Sequence, residues 1–156
     1  MAYRIAGLPL GDFAPLFGQS EAALAEAGIV RVTAQAKPGY PCRITLEDAE
    51  LGETLLLLNH EDHKAATPYR NAYAIYVREG ATATAEFEDS LPQVFQGRPL
   101  SLRAFDGEGM LRGATLALQG DADARIRELF EREEIAYIHV HNAAHGCFAA
   151  RVERSG

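Results

Sequence analysis

The stretch AYIHVHNAAHGCFAARVE, residues 136–153, sets His139, His141, His145 and Cys147 within nine positions. Imidazoles move protons near neutral pH and ligate metal ions, and a thiol supplies a nucleophile. If 136–142 is a strand, Ile138 and Val140 point to one face and Tyr137, His139 and His141 to the other. The aliphatic face is the core side. The two histidines then share a face, roughly 6.5–7 Å apart at Cα, from where both can hold one ion. Spacing fixes no third or fourth ligand, so the sequence predicts no metal and, in particular, no tightly bound zinc. His145 falls in the following turn. Alternation carried onward puts Cys147 and Ala149 on one face of the last strand, with Phe148, Ala150 and Val152 facing the core.

Two further clusters carry chemistry. In NHEDH, residues 59–63, His60 and His63 stand three apart after an aliphatic strand. A zinc-protease helix needs two histidines four apart, so that class is excluded. Glu61 and Asp62 read as charges on a strand-to-loop exit, where binding residues concentrate. In YPCR, residues 40–43, Cys42 follows a tight turn beside Arg43, and a neighbouring guanidinium favours the thiolate. The candidate catalytic groups are therefore Cys42 as nucleophile and His60 or His141 for proton transfer. Arg43, Tyr69, Arg70 and Asn142 are the candidate ligand-binding groups, with Arg70 a fork for a carboxylate or phosphate. The expected partner is a small anionic molecule, and no cofactor is implied. DGEGMLRG lies between strands, which excludes a dinucleotide fingerprint, and no phosphate-binding loop or nucleophile elbow occurs.

The elements that must position these groups alternate at period two more often than at 3.6. Tyr3–Ala6 reads as a strand and Asp12–Phe17 as a turn or short helix. Ser20 caps a helix through Ala27, with Gly28 just beyond its end. IVRVTA, residues 29–34, is a strand, KPGYP a turn, and CRITLED the start of another strand. TLLLLNH, residues 54–60, is apolar on both faces and reads as central; AYAIYVRE, residues 72–79, is a further core strand. Residues 81–98 suggest a helix broken at Pro92, and 101–118 a hairpin around Asp106–Gly109. Asp121 caps a helix that presents Ile126, Leu129 and Phe130, and two strands close the chain. The fold class is α+β: one domain over residues 1–156, a mostly antiparallel sheet with two or three helices. Leu55, Leu57, Ile75, Val77, Ile138 and Val140 are the expected core.

Bulk composition bounds the function. The chain is 47% hydrophobic and 24% charged, with a formal net charge of −7. It has no basic stripe, so nucleic acid and anionic membrane surfaces are not expected partners. The longest aliphatic run, Leu55–Leu58, falls far short of the roughly 20 residues of a membrane span. MAYRIAGLPLGDF lacks a secretory apolar core, and two cysteines without export signals predict reduced thiols in the cytoplasm. Of the two, Cys42 is expected to be the more reactive.

The blocks KPGYPCRITLEDAELGETLLLLNHEDH, TPYRNAYAIYVREG and AYIHVHNAAHGCFAARVER resemble those of a bacterial family known as domain of unknown function 1203. The resemblance extends from the N-terminal YRIAGLPLGDFAPLF onward and implies no established activity, cofactor or catalytic residue. Members of that family often carry a second cysteine at the position of Ala150. This chain lacks it, which argues against paired-thiol redox or zinc chemistry at Cys147. Two classes of function fit the residues. One is a small enzyme or small-molecule binder with a polar His/Arg/Cys pocket. The other is a non-catalytic structural or protein-interaction domain in which the polar groups satisfy one another.

Overall fold

The computed structural model describes residues 2–156. In chain order the strands are β1 (Tyr3–Ala6), β2 (Val30–Thr33), β3 (Thr54–His63), β4 (Asn71–Arg78), β5 (Glu86–Glu88), β6 (Leu100–Phe105), β7 (Leu111–Ala117), β8 (Tyr137–Asn142) and β9 (Phe148–Arg154). Helix α1 spans Glu21–Glu26 and α2 spans Ala122–Phe130; short 3-10 turns cover Leu10–Asp12, Ala14–Leu16 and Gln93–Phe95. All named strand pairs are antiparallel, in a six-stranded sheet ordered β5-β1-β9-β8-β6-β7 and a three-stranded sheet β2-β3-β4. The fold is α+β. No helix among the described residues is long and apolar enough to cross a membrane.

The large sheet buries Ile138 and Val140 of β8, Val152 and Ala150 of β9 and Leu102 of β6 beneath α2, whose Ile126, Leu129 and Phe130 complete the cluster. A second cluster joins Leu56, Leu58, Ile75 and Val77 of the small sheet to Leu24 of α1 and to Phe13. Of the six residues expected in the core, five are buried and Leu57 is half-buried. Ile138 is fully enclosed, so Ile138→Val should lower stability by about 0.5–1.5 kcal/mol, read by urea denaturation. An effect below that range would mean that the sheet and α2 close around the lost methyl.

Several local expectations hold. The Ser20 side chain accepts the Ala23 N–H at 3.1 Å, and Gly28 takes φ +74° just past α1. The β6–β7 turn is tied by Asp106 Oδ1, which accepts from Glu108 and Met110 N–H at 2.9 and 3.0 Å. Asp121 occupies the cap position of α2 but makes no capping bond with its side chain.

Four expectations are corrected. CRITLED is not a strand: Cys42 N–H donates to Glu47 O and Leu46 N–H to Cys42 O, so the segment turns back on itself with Leu46 at φ 56°. Within 81–98, a helix gives way to β5, because the outer edge of β1 has unpaired N–H and C=O groups that Glu86–Glu88 satisfy. Strand β4 is an edge strand, and Tyr73 upon it is 52% exposed. Finally, β3 runs on through NHEDH to His63 instead of leaving as a loop. That extension lays the end of β3 against the second face of the large sheet.

Candidate functional site

Alternation along β8 delivers Tyr137, His139 and His141 to the face opposite the α2 core, alongside Arg103 and Phe105 of β6, which pair with His139 and Tyr137. Both histidines are 1% exposed. The last strand departs from simple alternation. A bulge between Val140 and His141 pairs Val140 with Ala150 but His141 with Phe148, so one extra residue flips the side chains that follow. Phe148 therefore joins the histidines, with ring centroids 5.1 Å from His139 and 5.9 Å from His141. The expectation that Phe148 faces the core with Ala150, and Cys147 the histidines, is corrected. Cys147 lies beside Asn142 instead, its C=O accepting the Asn142 N–H at 2.9 Å.

A second bulge re-aims NHEDH. Glu61 pairs with Ala72 and His63 with Asn71, leaving Asp62 as the extra residue. Its side chain, 1% exposed, turns toward β8, where Oδ2 lies 3.6 Å from His141 Nε2 and 3.8 Å from His139 Nδ1. Asp62 Oδ1 accepts from Asn71 Nδ2 at 2.8 Å. His63 Nε2 meets Tyr137 Oη at 2.7 Å, and its ring stacks on Phe105 at 4.1 Å. Burial pushes the His141 imidazole down to about 4, against the Gly146 carbonyl contact, and burial lowers His139 as well. Burial works against the Asp62 carboxylate too, but the two imidazoles and Asn71 outweigh it and hold the carboxyl below its ordinary value.

The blocks converge on two concavities. The larger, about 410 Å³, is lined by Arg43, Arg98, Tyr73, Tyr76, Asn142 and Cys147, among others, with His145 on its wall. The other, about 340 Å³, borders Asp62 and His141 and carries Tyr69, Arg70, Asn71 and Arg103. The candidate ligand-binding residues thus separate, Arg43 and Asn142 to the first and Tyr69 and Arg70 to the second. Arg70 is already paired with Glu61 at 2.9 Å.

Arg43 defines the larger cleft. It is 2% exposed; Nε donates to Phe148 O at 2.7 Å, Nη1 to Pro41 O at 2.6 Å and Nη2 to Cys147 Sγ at 3.0 Å. Among the described residues no carboxylate meets it: Asp48, the buried acid of the same segment, is engaged by Arg98 at 2.5 Å. Burial pushes the Arg43 guanidinium down, opposed chiefly by Cys147. Cys147 Sγ also accepts from Asn142 Nδ2 at 3.3 Å, while Asn142 Oδ1 is buried without a partner among the described residues.

Cys42 and His60, both candidate catalytic groups, lie elsewhere. Cys42 is fully buried, and its sulfur accepts backbone N–H groups of Ile44, Thr45 and Arg78 at 3.2–3.4 Å. Adjacent residues point apart, so Arg43 reaches Cys147 and not its sequence neighbour. Cys42, expected to be the more reactive thiol, lacks both the exposure and the neighbouring guanidinium on which that expectation rests; both cysteines are free, and Cys147 is the half-exposed one. His60 packs between the rings of Phe13 and Phe148 at 6.1 and 6.0 Å, and burial lowers its basicity. Sequence reasoning passed over three groups: Cys147 as partner of Arg43, Arg103, and Asp62 as partner of the histidines. Asp62 was visible as a carboxylate in NHEDH, but the bulge that turns it inward was not.

Fold and site define an α+β protein whose cleft sets one thiol against a buried, carboxylate-free arginine. Residues 39–154 match the sequence model of the family described as protein of unknown function (DUF1203), and the chain belongs to that family. The match begins just before YPCR, so it includes both concavities but not the N-terminal stretch. No curated protein and no solved structure matches the chain.

Proposed function

We propose that this protein is a small thiol-dependent enzyme that acts on a small anionic molecule with an apolar body, bound in the Arg43–Cys147 cleft. The observation that carries this reading is the buried Arg43 guanidinium, which among the described residues meets two neutral carbonyls and a sulfur but no carboxylate. A buried cation needs a counter-charge, and here an anionic ligand in the cleft supplies it. Cys147 is the nucleophile, with Arg43 and Asn142 donating to its sulfur. Leu57, Ile75, Tyr73 and Tyr76 offer apolar wall for the body of the ligand. A reduced Cys147 suits a cytoplasmic setting.

The test compares alkylation by iodoacetate and by iodoacetamide, with mass mapping of the labelled peptide. Positive potential in the cleft should raise the iodoacetate-to-iodoacetamide rate ratio at Cys147 by about 10-fold or more over a free thiol. Cys42 should stay unlabelled until the chain unfolds. A ratio equal to that of a free thiol would remove the anion from the reading. If a ligand found by thermal-shift screening of small carboxylates and phosphates binds Cys147→Ser as well as wild type and is not turned over, the protein is a binder and not an enzyme.

A further inference from the structure

We infer that Asp62, His139 and His141 form a binding site for one divalent transition-metal ion, separate from the Cys147 cleft. One ligand atom from each of the three residues lies within 4.8 Å of the others, and Asp62 Oδ2 stands 3.6 Å from His141 Nε2 and 3.8 Å from His139 Nδ1. An ion bonded at about 2.0–2.2 Å holds its tetrahedral ligands about 3.3–3.6 Å apart, so the two carboxylate-to-imidazole distances of 3.6 and 3.8 Å are already close to it, and the two imidazoles, within 4.8 Å, close onto the ion by rotating about their side-chain torsions.

The unpaired atoms point the same way. Among the described residues, Asp62 Oδ2 and His139 Nδ1 are buried without a hydrogen-bond partner, an arrangement that normally costs stability. His141 Nδ1 sits 2.9 Å from Gly146 O, a carbonyl that only accepts, so Nδ1 carries the proton and a neutral His141 turns the Nε2 lone pair to Asp62. Asn71 occupies Asp62 Oδ1 in the same way, leaving Oδ2 free. Two of the three ligands, His141 and Asp62, are thus oriented by an outer partner, as metal-binding side chains generally are. Between them lies a place for a positive charge. Spacing fixes no third or fourth ligand, which is the ground for expecting no tightly bound zinc; the bulge at Asp62 supplies the third.

Two imidazoles and one carboxylate suit Zn²⁺, Co²⁺ or Fe²⁺, whereas Mg²⁺ and Ca²⁺ prefer oxygen. Three protein ligands leave a coordination position open, and the site borders the 340 Å³ pocket. Arg103 lines that pocket and, among the described residues, makes no ion pair with a carboxylate; its Nε donates to Ser101 Oγ at 3.4 Å. A small anion such as a carboxylate can therefore complete the coordination sphere beside it.

The experiment titrates the full chain, stripped of metal by chelator and dialysed, with Co²⁺ and with Zn²⁺. One ion per chain is expected, with visible Co²⁺ d–d bands and no sulfur-to-metal charge-transfer band. Asp62→Asn and His139→Gln should each weaken binding about 100-fold or more, and Asn71→Ala about 10–100-fold. His145→Ala and Cys147→Ser should leave affinity unchanged, and excess Mg²⁺ should not compete. Histidine-ring NMR of the unsubstituted protein reads the same question without altering the fold: Zn²⁺ should shift the ring nitrogens of His139 and His141 and spare those of His145. No saturable binding, a charge-transfer band that Cys147→Ser abolishes, or full affinity in folded Asp62→Asn would each overturn the site.

Discussion

Arg43→Met should slow alkylation of Cys147 at neutral pH by about 10- to 100-fold while the chain remains folded. A hydrogen bond to a charged group contributes about 1.5–3 kcal/mol, and each 1.4 kcal/mol is tenfold in population or rate. In the native cleft that bond runs from Arg43 Nη2 to Cys147 Sγ at 3.0 Å. Stability should respond differently. The substitution strips donors from the carbonyls of Phe148 and Pro41, at about 1–3 kcal/mol each. It also removes a buried charge of similar volume, and that gain offsets part of the loss. Arg43→Lys keeps the charge but not the planar fork, so it should restore only part of the labelling rate. The measurement is the pseudo-first-order alkylation rate of each cysteine, with circular dichroism as the check on folding. A folded Arg43→Met protein that labels at the wild-type rate would show that Arg43 is only a strut between two loops.

Gly7→Ala should be among the most damaging single-methyl additions in the chain, lowering stability by about 3–5 kcal/mol. A Cβ at Gly7 would stand 2.0 Å from Ile44 O and 2.8 Å from Ile44 C, inside any tolerable contact. The carbonyl is not free to rotate away, because it accepts the Ala85 N–H at 2.9 Å. The end of β1 and the 42–48 turn must therefore part, straining Leu8 N–H to Arg43 O at 2.8 Å and Gly7 N–H to Ala85 O at 2.9 Å. For a chain of this size, 3–5 kcal/mol corresponds to a fall in Tm of about 6–20 °C. Gly11→Ala, with nothing within 4 Å of the added carbon, is the matched control and should stay close to wild type. Equal melting of Gly7→Ala and wild type would mean that β1 does not pin the turn. Because that turn carries Arg43, the same variant should also disturb Cys147 labelling.

Local pattern read well where a segment's environment depends on its own residues. The Ser20 cap, the Asp106 turn and the apolar faces of Ile138/Val140 and Ile75/Val77 follow from bonds or alternation within a few positions. It failed where a distant partner chose the outcome. Glu86–Glu88 is a strand because β1 offers an open edge some 80 residues away in sequence. CRITLED folds back through its own Cys42–Glu47 and Leu46–Cys42 bonds, and its bridge to β4 is confined to Cys42 opposite Tyr76.

By itself, the sequence determined an α+β protein with an antiparallel sheet, most of the core, and a set of imidazoles, guanidiniums and thiols worth testing as a site. Tertiary structure decided which of those groups meet. Two bulges, at Asp62 and between Val140 and His141, each insert one residue into a ladder and so exchange the faces of the side chains beyond. Alternation has a period of two, and a one-residue insertion inverts it without leaving any trace in composition. That inversion carries Asp62 to the histidines, Phe148 to the same face, and Cys147 to Arg43, 104 residues distant along the chain.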